Sequence, residues 1–397
     1  MLDVEAAQAR IFAAFAPLPG ELVPLQQASG RVLAEPVVAV RDQPPAAVSA
    51  MDGYALRALD TQPGRWLEVV GSIAAGRPPS VTVGEGQAAR IFTGGLMPEG
   101  ADAILIQEEA LVDGDRVQAK EAVRPGLFVR PRGLDYRAGW VGLEPGTCMT
   151  PLSIGLAASL GVAWLSVRRR PRVGIIATGD ELRRPGGPLA AHELASSNSF
   201  TLATMLEAWG AVPVDLGIAR DEPDDLARKL AAARGLDLLV TSGGASVGDH
   251  DLVRQVGGEA GLELDFWKIR MRPGKPLIFG RLHDTPLLGL PGNPVSAAVC
   301  GIVFLRGAVR CLLGLDPALP VTTARLAVDL GAGIERQDYQ RARLVGPGLV
   351  QPGERQDSSM LATLAKADVL LVRPPAAPAL PAGAEVPVID LAAVLRG

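Results

Sequence analysis

Four segments between residues 172 and 299 place glycine, proline, hydroxyl groups and charge directly after apolar, strand-like runs. Residues 173–177 lead into Thr178-Gly179-Asp180-Glu181-Leu182, and residues 236–240 into Thr241-Ser242-Gly243-Gly244-Ala245-Ser246-Val247-Gly248-Asp249. Residues 267–271 lead into Arg272-Pro273-Gly274-Lys275-Pro276, and residues 285–290 into Pro291-Gly292-Asn293-Pro294-Val295-Ser296. Asp180 and Glu181 offer hard carboxylate oxygens of the kind that hold Mg²⁺ against a phosphate. The plain alternative is a turn-capping Asp beside a solvated Glu. The glycines of 242–249 exceed the needs of one tight turn and suit a backbone cradle for phosphate, with Ser242 and Ser246 as hydroxyl donors. Asp249 and Asp251 either add to a metal site or cap the next helix. Lys268, Arg270 and Arg272 fall two residues apart and would share one strand face. A rigid Pro273-Gly274 turn then sets Arg272 and Lys275 to hold a tetrahedral oxyanion between two cations. Asn293 and Pro294 suit the N-cap and first turn of a long apolar helix; Pro291-Gly292 is less well explained that way. Ser196-Ser197-Asn198-Ser199 supplies another N-cap, or hydroxyl and amide donors to a ligand. Together these loops read as a site for a large, multiply anionic ligand with carboxylates for a metal.

Loops of this kind sit at the carboxyl ends of strands in an open α/β sheet. Strands alternate with helices between residues 172 and 315, with helices expected over 199–209, 223–233, 250–256 and 294–313. That alternation predicts βαβ units and a parallel sheet. Before it, helical spacing marks residues 4–15, alternation marks a strand over 31–40, and short β runs separated by turns fill 66–129. Thr150-Pro151 opens a further helix. After Asp316-Pro317, short strands dominate and predict a small β domain. The chain's 397 residues allow about two to four domains at roughly 100–200 residues each. A net charge of −4 argues against nucleic acid as a partner, so an anion site must be local. Cys148, Cys300 and Cys311 form no CxxC, and His192, His250 and His283 have no zinc spacing. The amino terminus lacks a signal-peptide pattern, and no apolar run reaches the roughly 20 residues of a membrane span. A soluble, cytoplasmic protein without membrane association is expected.

Six ordered motifs give the chain a wider resemblance. Ser49-Ala50-Met51-Asp52-Gly53-Tyr54-Ala55 and Arg90-Ile91-Phe92-Thr93-Gly94-Gly95 precede Thr178–Leu182, Ser242–Asp249, Met271–Pro276 and Leu290–Ser296. In this order they resemble the molybdopterin molybdenumtransferase family, to which a domain of eukaryotic gephyrin is related. The resemblance implies an α/β multidomain fold in four parts: an extended dimerisation segment (1–45 and 141–170), a β module (46–140), an α/β molybdopterin-binding domain with a parallel-type sheet (171–316) and a C-terminal β barrel (317–397). It implies a homodimer that inserts molybdenum from molybdate into adenylylated molybdopterin and releases AMP with Mg²⁺, with other molybdenum cofactor synthesis proteins as further partners. Carried over by motif, the functional polar residues are Asp52, Thr93, Glu181, Asp221, Asp251, Lys268 and Lys275, with Glu181, Asp249 and Asp251 toward Mg²⁺. Ser242, Gly243, Gly244, Ser246, Gly248, Asp249, Arg272, Pro291, Gly292, Asn293, Pro294 and Ser296 would line the substrate site. Arg336, Arg341 and Ser358 would face molybdate. Arg130 and Asp135 match a further family segment in which Leu134 replaces the usual Glu, Arg272 stands where Lys is common, and Ser359 where Gly or His is. Two rivals stand beside this reading: a molybdopterin adenylyltransferase, disfavoured by the extra β modules, and a non-catalytic gephyrin-like scaffold, disfavoured by the intact charged loops.

Overall fold

The computed structural model describes residues 1–243, 252–259 and 261–396, with backbone alone for 252–255. Gly244, Ser246, Gly248, Asp249 and Asp251 of the expected site lie outside the described residues. The chain divides into two compact units. One comprises Met1–Leu22, Gly30–Ala34 and Ser166–Gly397; the other comprises Val23–Ser29 and Glu35–Leu165. Residues 1–22, expected with the extended segment, therefore belong to the α/β unit: the helix Val4–Ala13 buries Val4, Ala7 and Ile11 in its core.

The larger unit is built on a six-stranded sheet in the order Val212–Ala219, Arg172–Thr178, Leu238–Ser242, Thr285–Leu290, Pro276–Leu282, Leu262–Lys268. The first four strands run parallel, as the alternating pattern predicts. The last two pair antiparallel, a departure from an all-parallel sheet. A short turn at residues 283–284 joins Pro276–Leu282 to Thr285–Leu290, and so short a connection permits only a hairpin. The central strands Arg172–Thr178, Leu238–Ser242 and Thr285–Leu290 are almost wholly buried, as strands covered on both faces must be.

One face is covered by a continuous helical segment, Pro294–Leu312, with a π turn at Gly301–Leu305. It is 19 residues long with mean hydropathy 1.8, long and apolar enough by composition to cross a membrane, but 89% of that window is buried inside the protein. Each fully buried Leu, Val or Phe here contributes about 1.5–3 kcal/mol. Gly307 is required by packing, since a Cβ there would lie 2.2 Å from the Phe12 ring of the amino-terminal helix.

After residue 320 the chain forms a closed barrel of five strands: Val321–Leu326, Gln337–Gly346, Leu349–Pro352, Val369–Arg373 and Glu385–Asp390. The two-residue strand Met271–Arg272 joins it beside Gln337–Gly346. The smaller unit carries a six-stranded sheet, and the strand Gly53–Leu56 lies inside it between Gln87–Ile91 and Ala103–Ile106. The expected strand over 31–40 is not continuous; Leu33 makes a bridge to Val167, and Val37–Val38 pairs with Val141–Leu143.

Candidate functional site

Thr178, Ser242 and Leu290 end adjacent parallel strands, and the loops that follow them converge. A cleft of about 810 Å³ opens there. Its walls carry Glu181, Asp221, Ser242, Gly243, Pro291, Gly292, Asn293 and Pro294 of the expected set, together with Thr178, Ser196, Asn198 and Ser359. Ligands in open α/β sheets bind at this end.

Local geometry accounts for the loop sequences. Gly179 adopts φ +144°, and a Cβ there would lie 2.6 Å from a Glu181 carboxylate oxygen. The glycine lets Glu181 fold back along its own loop. Gly243 adopts φ +99°, where a Cβ would strike the Thr178 carbonyl at 2.5 Å. Its N–H donates to the Leu290 carbonyl at 3.1 Å, tying the second loop to the fourth. Asp180 and Glu181 divide their roles. Asp180 accepts the Asp221 N–H at 3.0 Å, holding the neighbouring loop, while Glu181 lines the cleft. The Thr178 hydroxyl is buried without a hydrogen-bond partner among the described residues, an orphaned polar group at the cleft wall.

Asn198 knits the site. Its amide donates to the Ser242 hydroxyl at 2.8 Å and to the Gly292 carbonyl at 2.7 Å. Ser197, the residue before that helix, makes no side-chain capping bond, so the hydroxyl-rich run serves the cleft more than the helix end. Asn293 behaves likewise. Its amide makes no cap bond and donates to the Ser358 hydroxyl at 2.7 Å, while the Ser358 carbonyl accepts the Val295 N–H at 3.1 Å. Asn293 stands at the N-cap position before Pro294 as read, but its side chain ties the fourth loop to the barrel in place of a cap bond. Ser296 is buried in the first turn of the helix and lies off the cleft lining.

The expected cationic face is not formed. The strand Leu262–Lys268 ends at Lys268, Arg270 lies in a bend, and Arg272 belongs to the separate strand Met271–Arg272 beside the barrel, so the three do not share one strand. Each cation finds its own partner. The Lys268 ammonium lies 3.4 Å from the centroid of the Trp267 ring, Arg270 pairs with Asp3 at 3.5 Å, and Arg272 forms a fork on Asp338, Nε to Oδ1 at 2.8 Å and Nη2 to Oδ2 at 2.5 Å. Asp338 is 2% exposed and also accepts from Gln340. No sequence motif pointed to Asp338; its only signal is alternation around Tyr339. Lys275, half-buried, has no ion-pair partner among the described residues. Arg336 is half-buried just before its barrel strand.

Arg341 is placed as a support, not as a surface donor. It is 2% exposed and spends its guanidinium on Gln356 Oε1 and the carbonyls of Asp357 and Arg355. Burial pulls it below the usual arginine value, while Asp357 and Asp338 oppose that shift. It thereby shapes the loop that carries Ser358. Asp357 is held below the usual carboxylate range by the Ser359 hydroxyl and N–H.

In the smaller unit, Asp52 accepts the Thr93 N–H at 2.7 Å and the Thr93 hydroxyl at 2.8 Å through one oxygen. These bonds, with Arg90 adding a smaller effect, hold its carboxyl below the ordinary value. Both bonds fall on that one oxygen, which leaves the other as an acceptor for a ligand. Arg130 pairs in a two-residue strand with Val48, and the Asp135 N–H donates to the Gln43 carbonyl.

Among the described residues, no three His, Cys, Asp or Glu side chains cluster tightly enough for a metal. Mg²⁺ typically needs only one or two carboxylates beside substrate phosphates and water. Glu181 meets that chemistry as an exposed hard-oxygen donor on the cleft wall.

Three family models match the chain in order. They are the MoeA N-terminal region (domains I and II) over residues 2–161, a probable molybdopterin binding domain over 174–310, and the MoeA C-terminal region (domain IV) over 323–391. The chain is 37% identical to molybdopterin molybdenumtransferase of Haemophilus influenzae over 329 residues, 82% of this chain and 81% of that protein. It is 39% identical to molybdopterin molybdenumtransferase 2 of Mycobacterium tuberculosis over 384 residues, 93% of this chain and 94% of that protein. The crystal structure of the molybdopterin biosynthesis MoeA protein from Pyrococcus horikoshii superposes with a TM-score of 0.88 at 29% identity, covering 98% of this chain and 99% of that one.

Proposed function

Since the chain belongs to the molybdopterin molybdenumtransferase family, enzymes of molybdenum cofactor biosynthesis, we propose that it transfers molybdenum from molybdate to adenylylated molybdopterin and releases AMP with Mg²⁺. The observation that carries this reading is the convergence of strand-end loops on one cleft of about 810 Å³, with Glu181 and the Thr178 hydroxyl, unpartnered among the described residues, in its walls. A site of that size suits a pterin nucleotide, and its loop amides and hydroxyls suit phosphate.

Bound Mg²⁺ would neutralise charge on the pyrophosphate oxygens and polarise the bond that breaks. Glu181 is the residue placed to hold it. Asn198 fixes the Ser242 and Gly292 loops that flank the phosphates, so the substrate meets donors already in place. Lys275 supplies the positive charge for molybdate, because Arg272 is engaged by Asp338. Ser358, held by Asn293 and by the Arg341-supported loop, is the neighbouring hydroxyl donor. The chain's task is therefore charge neutralisation and proximity, without a protein nucleophile.

The same reading makes the protein a cytoplasmic homodimer, with Asp52 and Thr93 serving the partner subunit's reaction. Supporting this, the smaller unit exposes Leu152 at 86%, Val40 at 65% and Trp164 at 58%, apolar side chains of the kind that a subunit interface covers. Adenylylated molybdopterin incubated with the protein, Mg²⁺ and molybdate should yield AMP. No AMP above the molybdate-free control refutes the reaction, and full activity of a sedimenting monomer refutes the dimer.

A further inference from the structure

Arg90 opens the motif that closes on Thr93-Gly94-Gly95, and it stands beside the Asp52–Thr93 pair in the smaller unit. The strand Gln87–Ile91 pairs antiparallel with Gly53–Leu56, and the register sets Arg90 opposite Tyr54. Side chains opposite one another share a sheet face, and so do residues two apart. Tyr54, Arg90 and Phe92 therefore stand together, with the guanidinium carbon 5.1 Å from the Tyr54 ring centroid and 5.0 Å from that of Phe92. Both distances lie within cation–π range. The same guanidinium donates to the Gly53 carbonyl at 3.0 Å and to the Gln107 amide oxygen at 2.8 Å. The Gln107 N–H donates in turn to the Asp52 carbonyl at 3.1 Å. Arg90 thus touches the residue after Asp52, the residue before Thr93, and the residue that bonds the Asp52 backbone.

We infer that Arg90 is a positioning residue for the reaction and acts through Asp52: it fixes the backbone on both sides of the Asp52–Thr93 pair and so aims the carboxylate oxygen that Thr93 leaves free. The inference rests on the reading that Asp52 serves the chemistry. Arginine suits this task where lysine does not. A planar guanidinium serves two acceptors in its plane while its faces meet rings, whereas an ammonium is a point charge. The charge has a second effect. The elements packed around Asp52 bring Arg90, and also Glu108 and Glu109 of the turn after Ala103–Ile106, to this end of the sheet. Glu108 is occupied by the Gln107 amide at 3.2 Å. Among the described residues, Arg90 is the charge that, after the two Thr93 bonds, holds the Asp52 carboxyl below its ordinary value. Asp52 is thereby kept ionised as well as aimed.

The test is a double-mutant cycle on kcat for molybdate-dependent AMP release, with Arg90→Met, Asp52→Asn and both changes together. Arg90→Met should lower kcat by roughly 10- to 100-fold, the upper end being the cost of about 1 Å of misplacement, while KM values stay near wild type. In the Asp52→Asn protein the same change should cost less than about twofold, within the scatter of such cycles. Equal losses in both backgrounds, or a loss confined to KM, overturn the inference. Arg90→Lys keeps the charge and is the safer variant to fold. It should lie between wild type and Arg90→Met, and wild-type kcat in it overturns the inference as well. A second readout needs no turnover. In protein labelled at threonine nitrogen, the Thr93 amide resonance, assigned with Thr93→Ser, reports the bond to Asp52. Arg90→Met should move it toward its position in Asp52→Asn, and an unmoved resonance overturns the inference. No AMP release from wild type sinks the reading of the reaction, and the resonance then still decides whether Arg90 holds Asp52.

Discussion

Replacing Asn198 by Asp changes almost nothing in shape and reverses the hydrogen-bonding sense of the group that ties two loops. The Asn198 amide donates at 2.8 Å to Ser242 and at 2.7 Å to the Gly292 carbonyl. With a carboxylate, the Ser242 hydroxyl can turn to donate, but the Gly292 carbonyl cannot, and two acceptors then face each other. Asn198→Ala loses both bonds without that repulsion. Two neutral hydrogen bonds are worth about 1–3 kcal/mol together, which corresponds to a decrease of roughly 5- to 150-fold if the productive cleft depends on them. Asn198→Asp should fall below Asn198→Ala, because it adds a negative charge where a polyanionic substrate binds. The assay is kcat/KM for AMP release with adenylylated pterin and molybdate, beside a thermal melt to confirm folding. Asn198→Ala with wild-type kcat/KM, or Asn198→Asp more active than Asn198→Ala, would refute the reasoning.

Glu181→Gln should fold normally and lose turnover by at least the roughly 10–100-fold seen when a metal site's supporting group is removed; an unaltered Mg²⁺ requirement with full activity contradicts the role. Lys275→Ala should raise the molybdate concentration required by about 10- to 150-fold, the loss of one charge-assisted contact of about 1.5–3 kcal/mol, while AMP affinity stays constant; a fall in AMP affinity instead would make Lys275 a nucleotide ligand. For Asp52, Thr93 holds the folded carboxyl below its unfolded value. Its contribution is therefore complete above about pH 4 and is lost as pH falls through the lower folded value. Acid unfolding of Asp52→Asn should differ from wild type near neutrality and converge with it at the acidic end; a difference independent of pH refutes the assignment.

The loops were legible because their chemistry is local. Glycine at Gly179 and Gly243 is demanded by backbone conformation, and Pro294 marks a helix start wherever that helix lies. What sequence could not supply was the partner across space. Asn293 reads as a cap because nearby sequence offers no Ser358, which lies 65 residues away. Arg272 reads as a free cation until Asp338, 66 residues on, takes its fork. The alternation of Lys268, Arg270 and Arg272 failed for a related reason, since Met271–Arg272 leaves the first sheet to pair with Gln337–Asp338 of the barrel. The parallel core was foreseeable from its alternation with helices, whereas the antiparallel edge depended on a turn at 283–284 too short for a crossover.

The path of the chain through the larger unit has a consequence for its birth on the ribosome. Gln8 donates to the Val303 carbonyl across 295 residues of sequence, and Phe12 fills the space above Gly307. The helix Val4–Ala13 thus waits for the helical segment Pro294–Leu312, made much later. At roughly 5–20 residues per second, synthesis leaves its apolar face without its mate for about 15–60 seconds. Meanwhile residues 23–29 and 35–165 emerge complete and can close first. The nascent chain therefore carries a finished insert between two halves of an unfinished core. The interval in which Val4, Ala7 and Ile11 remain unpaired is the time when this protein most needs a chaperone's cover.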